Sequence, residues 1–151
     1  MIIEFYKYHG TGNDFIMIDD RNNKFDINDN GLIAALCERR MGIGADGLIL
    51  LRNHEVLDFE MIYFNADGKA SSMCGNGGRC IIAFAEMLEI INNEANFMAI
   101  DGEHRGKRIE SEIFLQMKDV NKVQKFSGGL VLDTGSPHYI EVVENLLDLD
   151  I

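Results

Sequence analysis

Basic residues are scarce in this sequence: 14 lysines and arginines stand against 25 aspartates and glutamates, a formal charge of −11 over 151 residues. So acidic a chain repels phosphate backbones and anionic lipid, which argues against nucleic acid and membrane surfaces as partners. No apolar run reaches bilayer-spanning length, and the opening MIIEFYKYHG has neither the basic n-region nor the apolar h-region of a signal peptide. Cysteine is sparse as well. Three thiols, an odd number at no framework spacing, suit a reducing cytoplasm better than a disulfide scaffold. Low-complexity tracts and simple repeats are missing. What remains is 46% apolar, ordinary for a globular chain, and long enough for one or at most two small domains.

The apolar pattern predicts many short strands and two helices. Ile2–Tyr8 and Phe15–Asp19 read as strands around the turn-rich HGTGND, a hairpin-type pair. Asn28 or Asp29 can cap a helix through NGLIAALCERR, with Arg39 and Arg40 in its last turn and Gly42 beyond it. Leu48–Leu51 and Glu60–Phe64 are further strands, the second ending at the turn NADG. A helix from about Arg79 to Ile91 is apolar on so many sides that a sheet should enclose it. DGEHRG reads as a turn between the short strands that follow, and Leu130–Asp133 and Tyr139–Val143 flank TGSPH. The expected fold is α+β, a mixed sheet curling around one central helix. Composition turns polar near Asp119–Gly129, which sets expected domains at 1–120 and 121–151, and the closing ENLLDLDI looks like the start of another element.

The stretch SMCGNGGRC places Cys74 immediately before three glycines and a helix. A thiolate is the useful form of cysteine as base or nucleophile, and the unpaired amides at a helix start favour the anion. Gly75, Gly77 and Gly78 leave those amides bare, so a small carboxylate can approach them. A plain glycine turn beside an incidental buried thiol would look the same, and the spacing alone does not separate the two. Cys74 and Cys80 lack the spacing and the second pair of a zinc site. Cys80 and Cys37 read as core. Asn13 and Asn65 sit in Gly- and Asp-rich turns, where asparagine also serves local backbone bonding, and His138 beside Pro137 has the look of a loop histidine.

HGTGNDF, GIGADG, FNADG and MCGNGGRC, followed by TGSPH, occur in an order and setting that resembles the diaminopimelate epimerases. The likeness runs from Ile3 to about Val143. It implies one lobe of a two-lobed, pseudo-symmetric fold, and a cytoplasmic enzyme of lysine and peptidoglycan biosynthesis that uses no cofactor and no metal. It implies interconversion of LL- and meso-diaminopimelate by two cysteines flanking the α-carbon: a thiolate removes the proton and a thiol returns one to the other face. Cys74 matches the first catalytic cysteine. Asn13, Asn65, Gly75 and Asn76 match substrate-contacting positions, Ser136 stands where a commoner asparagine does, and His138 matches a histidine that tunes the thiols. The small-molecule substrate is the implied partner, and the full-length protein is implied to be a homodimer. A proline racemase, a phenazine-biosynthesis-like isomerase, or a non-catalytic carboxylate-binding fragment are the alternatives; GTGNDF together with FNADG argues against the first two, while the lack of a second glycine-flanked cysteine favours the third for these 151 residues.

The chemistry suits these residue types. An amino-acid Cα–H is a very weak acid, so its removal needs stabilisation of the carbanion; preorganised donors of this kind contribute roughly 3–4 kcal/mol each in acyl-transfer enzymes. Inversion needs a base and an acid on opposite faces. An asparagine amide offers both donor and acceptor to an amino acid's charged groups. Gly47 departs from the resemblance, since many relatives carry there a glutamine that touches substrate. A second glycine-flanked cysteine is also absent from the 151 residues. The expectation is therefore a first lobe plus the opening of a second, poorly active alone, with apolar surface and strand edges that invite self-association.

Overall fold

The computed structural model of the protein describes residues 2–146. The chain divides into two compact units, the first running to Gln116 and the second starting at Met117. The first unit contains β1 (Tyr6–Gly10), β2 (Asn13–Asp19), α1 (Asn30–Cys37), β3 (Gly47–Arg52), β4 (Phe59–Asn65), α2 (Gly75–Met87), β5 (Glu94–Ala99), β6 (Gly102–Ile109) and β7 (Glu112–Leu115). Its seven strands lie in the sheet in chain order. Gln116 still belongs to this unit, its N–H bonding Arg105 O at 2.8 Å, so the division falls slightly before the polar stretch that the composition marks.

Two neighbouring pairs, β2 with β3 and β4 with β5, are parallel and the rest antiparallel. A parallel pair needs a crossover. The segment carrying α1 makes the first and the one carrying α2 the second. The helices lie on opposite faces. Phe15, Met17, Ile49 and Leu51 point into the core with α2, whereas Ile16, Ile18, Leu48 and Leu50 pack with Ile33 and Cys37 of α1. Covering both faces is why these two strands read as unbroken apolar runs rather than alternating ones. Helix α2 touches both edge strands, β1 and β7, as well as β2, β3, β4 and β6 between them. The sheet therefore curls around it, as its apolar girth predicts. Phe84 sits at the centre, with the Tyr6 and Tyr8 rings 5.2 and 5.8 Å away.

Several boundaries differ from the sequence expectation for identifiable reasons. Helix α1 is capped as predicted, Asp29 Oδ1 accepting the Leu32 N–H at 2.9 Å, but it ends at Cys37. Arg39 and Arg40 lie beyond its last turn. Helix α2 starts at Gly75, inside the glycine run, and stops at Met87. Its end is a Schellman-type cap built on Glu89 at φ 58°, with Ile90 N–H on Ala85 O and Glu89 N–H on Glu86 O, both 3.0 Å. No glycine announces that cap. DGEHRG is largely strand β6: His104 is buried between Gln116 O (3.1 Å) and Asp101 Oδ1 (2.9 Å) and stacks on Phe97.

The second unit is a three-stranded antiparallel meander of β8 (Val123–Phe126), β9 (Gly129–Asp133) and β10 (Pro137–Ile140). Strand β8 falls in the polar stretch. Ser127 and Gly128, at φ 41° and 89°, make the two-residue turn that joins it to β9. The closing ENLLDLDI lies from position 147 outside the described residues. No described helix is long and apolar enough to cross a membrane.

Candidate active site

Three strand ends and one helix start meet at one end of the curled sheet. The β1–β2 hairpin turns through Thr11 and Gly12, at φ 55° and 88°, a geometry that suits the right-handed twist of the strands and delivers Asn13 as the first residue of β2. The parallel register sets Phe15 beside Gly47, so Asp46 lies level with Asp14, and their backbones bond at 3.0 Å. Gly47 in turn faces Asn65, the last residue of β4. The chain then returns to open α2 with Cys74 as N-cap.

The Cys74 side chain makes no cap bond to its own helix. Gly78 N–H makes the first intrahelical bond, to Cys74 O at 2.8 Å, and the amides of Gly75, Asn76 and Gly77 precede it in the first turn. The freed sulfur points at Asn13: Sγ lies 3.6 Å from Oδ1 and donates to it. Asn76 Nδ2 donates to the same oxygen at 3.2 Å. Asn13 Nδ2 donates to Asp46 Oδ2 at 2.8 Å, and Arg39 ties Asp46 Oδ1 (2.7 Å) to Asp14 Oδ1 (2.8 Å). The Arg79 guanidinium donates to Asn76 Oδ1. Cys74, Asn13, Gly75 and Asn76 are all partly exposed, which leaves the cluster open to a ligand.

The three thiols differ sharply in surroundings. Cys37 and Cys80 are 2% and 4% exposed, and burial pushes the Cys37 thiol up and Cys80 to about 11. Both are core, as their helix positions imply. We expect iodoacetamide at neutral pH to alkylate Cys74 at least about tenfold faster than either, because Cys74 is accessible while burial both hides the other two thiols and holds them protonated. Peptide mass spectrometry of the native protein checks this; equal rates would contradict it.

Asp14 is strongly perturbed as well. The Arg39 guanidinium, and after it Lys7, holds its carboxyl far below the usual carboxylate range; Asp46 is lowered too, first by the Asn13 amide. A carboxyl depressed in the folded state stabilises the fold above its unfolded value, about 3.9, and loses that contribution as pH falls below it. The urea midpoint is therefore expected to drop between about pH 5 and pH 3, by less in Asp14→Asn than in the parent, and by less at high salt because Arg39 is largely exposed. A variant that drops as steeply as the parent would remove Asp14 from the explanation.

The family profile described as diaminopimelate epimerase matches residues 5–123. The diaminopimelate epimerase of Flavobacterium psychrophilum is 52% identical over 150 residues, covering 99% of this chain and 59% of the relative. That of Chlorobaculum tepidum is 42% identical over 156 residues, covering 94% and 58%. The chain belongs to the diaminopimelate epimerase family. It spans a little under three-fifths of the length of these curated relatives. Two solved structures share the fold at low identity: a probable proline racemase from Agrobacterium radiobacter, solved with bound carbonate (TM-score 0.65, 14% identical, 91% of this chain and 51% of that one), and a phenazine biosynthesis protein of the PhzF family from Bacillus anthracis (TM-score 0.63, 16% identical, 83% and 44%).

As a member of the diaminopimelate epimerase family the chain gathers Cys74, Asn76 and Asn13 into one bonded cluster, with Gly75 between the first two in the chain. Asn65 stands at the same end of the sheet but bonds elsewhere, accepting from Tyr63 OH at 2.9 Å. Ser136 and His138 belong to the second unit, where His138 Nδ1 donates to Ser136 O at 2.7 Å at the start of β10. The glycine run has a second purpose beside ligand approach. A Cβ on Gly77 would stand 2.9 Å from Ile49 Cδ1, and one on Gly78 2.6 Å from Leu115 Cδ2, so those glycines let the helix start close onto the sheet. Gly47 is explained by packing as well: a Cβ there would meet Phe64 O and the Tyr63 ring, each at 2.5 Å. Tyr63 fills that space, and burial first, then its neighbour Cys74, pushes its phenol up to about 12. Asp46, Arg79 and Tyr63 are not among the residues the sequence singles out, and it offers Arg39 only as a cation at the end of a helix. Asp46 lies inside GIGADG and Arg79 inside GNGGRC, the one signal that pointed to them.

Proposed function

We propose that this chain carries the Cys74 half of a cofactor-independent diaminopimelate epimerase, acting on the α-carbon of LL- and meso-diaminopimelate. Cys74 as thiolate removes the α-proton. The first-turn amides from Gly75 onward receive the α-carboxylate and take up charge as the carbanion forms. Asn13, Asn76 and Asn65 offer amide donors and acceptors to the substrate's ammonium and carboxylates; Ser136 and His138, in the second unit, hold the positions that match a substrate contact and a thiol-tuning histidine in the family. The observation that carries the reading is the placement of the Cys74 sulfur: partly exposed at an open helix start and turned onto Asn13 rather than into its own helix.

Inversion also needs an acid on the opposite face. Cys37 and Cys80 are buried and do not offer it. Among the described residues no group of three His, Cys, Asp or Glu side chains converges as a metal site requires. The test is incubation of the protein with LL-diaminopimelate in deuterated water. Deuterium at the α-carbon supports the reading, with inversion if both proton-transfer groups are at work and without it if Cys74 works alone. Absence of incorporation at any pH would favour a carboxylate-binding domain without turnover.

A further inference from the structure

Cys74, Asn13 and Asn76 form a relay whose direction is set by charges at its ends. An asparagine amide fits its site almost equally well in either orientation, so its neighbours decide which way it points. At Asn13 the decision is made by Asp46. A carboxylate only accepts, so the Asn13 atom 2.8 Å from Asp46 Oδ2 is the NH₂ nitrogen. At Asn76 it is made by Arg79, which only donates and therefore faces Oδ1. Asp46 is itself fixed: Arg39 holds its other oxygen at 2.7 Å and the Asp14 backbone N–H reaches Oδ2 at 3.2 Å. Both anchors drive Asn13 Oδ1 to the same place, 3.2 Å from Asn76 Nδ2 and 3.6 Å from Cys74 Sγ. A carbonyl oxygen can only accept, so the sulfur facing it must donate.

We propose that Asp46 is a positioning residue for Cys74: by taking the Asn13 N–H it turns the Asn13 carbonyl onto the sulfur and holds the resting residue as a thiol. With the amide reversed, an N–H would face the sulfur and favour the thiolate. Among the described residues two titratable groups act directly on Cys74. Tyr63 approaches from β4 and Cys80 along α2, and both stay neutral between about pH 6 and pH 9 because they titrate higher. Asp46 and Arg79 act through the two asparagines, and the Asp46 carboxyl, lowered first by the Asn13 amide, stays ionised across that range. The relay thus decides which partner the Cys74 proton sees. The importance of this arrangement rests on the reading of Cys74 as the acid–base group, but its test measures the thiol directly and needs no turnover.

The test is the pH dependence of Cys74 alkylation by iodoacetamide in the whole chain, in about 0.5 M salt to screen the bare charge of Asp46. Asn13→Ala removes the carbonyl, and Asp46→Asn lets the Asn13 amide reverse. Each is expected to lower the alkylation midpoint by about half a pH unit or more, since a hydrogen bond to the neutral form holds a pKa up. Combined with Asn13→Ala, the Asp46→Asn change is expected to add little, as in any cycle where one residue acts through the other. A midpoint that rises or stays in Asn13→Ala, or an equal Asp46→Asn shift with and without Asn13, overturns the proposal. Loss of deuterium exchange with these profiles as expected would instead count against the epimerase reading alone.

Discussion

Cys74→Ala is expected to abolish deuterium incorporation at the diaminopimelate α-carbon, a loss of about 10²–10⁴-fold or more, the range a positioned acid–base group contributes. The substitution isolates chemistry from folding unusually well. The Cys74 side chain makes no cap bond to α2, and the helix start is held instead by the fit of Gly77 and Gly78 against Ile49, Met61, Met73 and Leu115. Thermal unfolding should therefore be nearly unchanged while exchange disappears. Cys37→Ala and Cys80→Ala should show the reverse. Both thiols are buried, so their loss leaves voids in the two cores but removes no group that meets the substrate. A Cys74→Ala protein that still exchanges, or a Cys80→Ala protein that folds normally and does not, would assign the proton transfer to another residue.

The largest stability effect is expected at the opposite end of the same two strands. Asp20, 3% exposed, follows β2 and accepts the backbone N–H groups of Lys24 and Phe25 at 2.8 and 2.9 Å. Its other oxygen takes Arg52 Nε at 2.7 Å, and Arg52 at the end of β3 reaches on to Phe25 O at 3.0 Å. Because β2 and β3 run parallel, one residue pair closes both ends and the loop that leads towards α1. Asp20→Ala strands a largely buried guanidinium and two amides, at a cost of about 3–5 kcal/mol. Against the 5–15 kcal/mol typical of a domain, that is enough to unfold much of the population at modest temperature. Urea denaturation measures it, and Asp20→Ala with Arg52→Leu should recover part of the loss, since no charge is then left unpaired. A cost under about 1 kcal/mol would show that water reaches Arg52.

What could be read from the residues was what a single local signal determines. The runs FIMI and LILL become the two strands buried on both faces, Asp29 caps α1, and a cysteine stands at the door of a glycine-rich helix start. Where two distant segments set the outcome, the reading ran short. Arg39 looked like a cation for a helix C-terminus, but the helix stops at Cys37 and Arg39 joins Asp14 and Asp46, partners that only the β2–β3 register brings together. Asp46 and Arg79 sat within motifs whose glycines and asparagines drew attention first. The end of α2 depends on a glutamate in a left-handed conformation, and no composition rule selects Glu89 for that place. Gly47 seemed to be a lost contact. Seen in the sheet, it is the space that the Tyr63 ring occupies.

The most direct measurement is the rate of Cys74 alkylation in the native protein as diaminopimelate is added. If the substrate sits on the α2 amides with its α-carbon against the sulfur, Cys74 labelling should slow saturably towards zero while the slow labelling of Cys37 and Cys80 stays as it was. A Cys74 rate independent of diaminopimelate at every concentration would contradict the placement of the substrate at this sulfur, and with it the assignment of Cys74 to proton transfer.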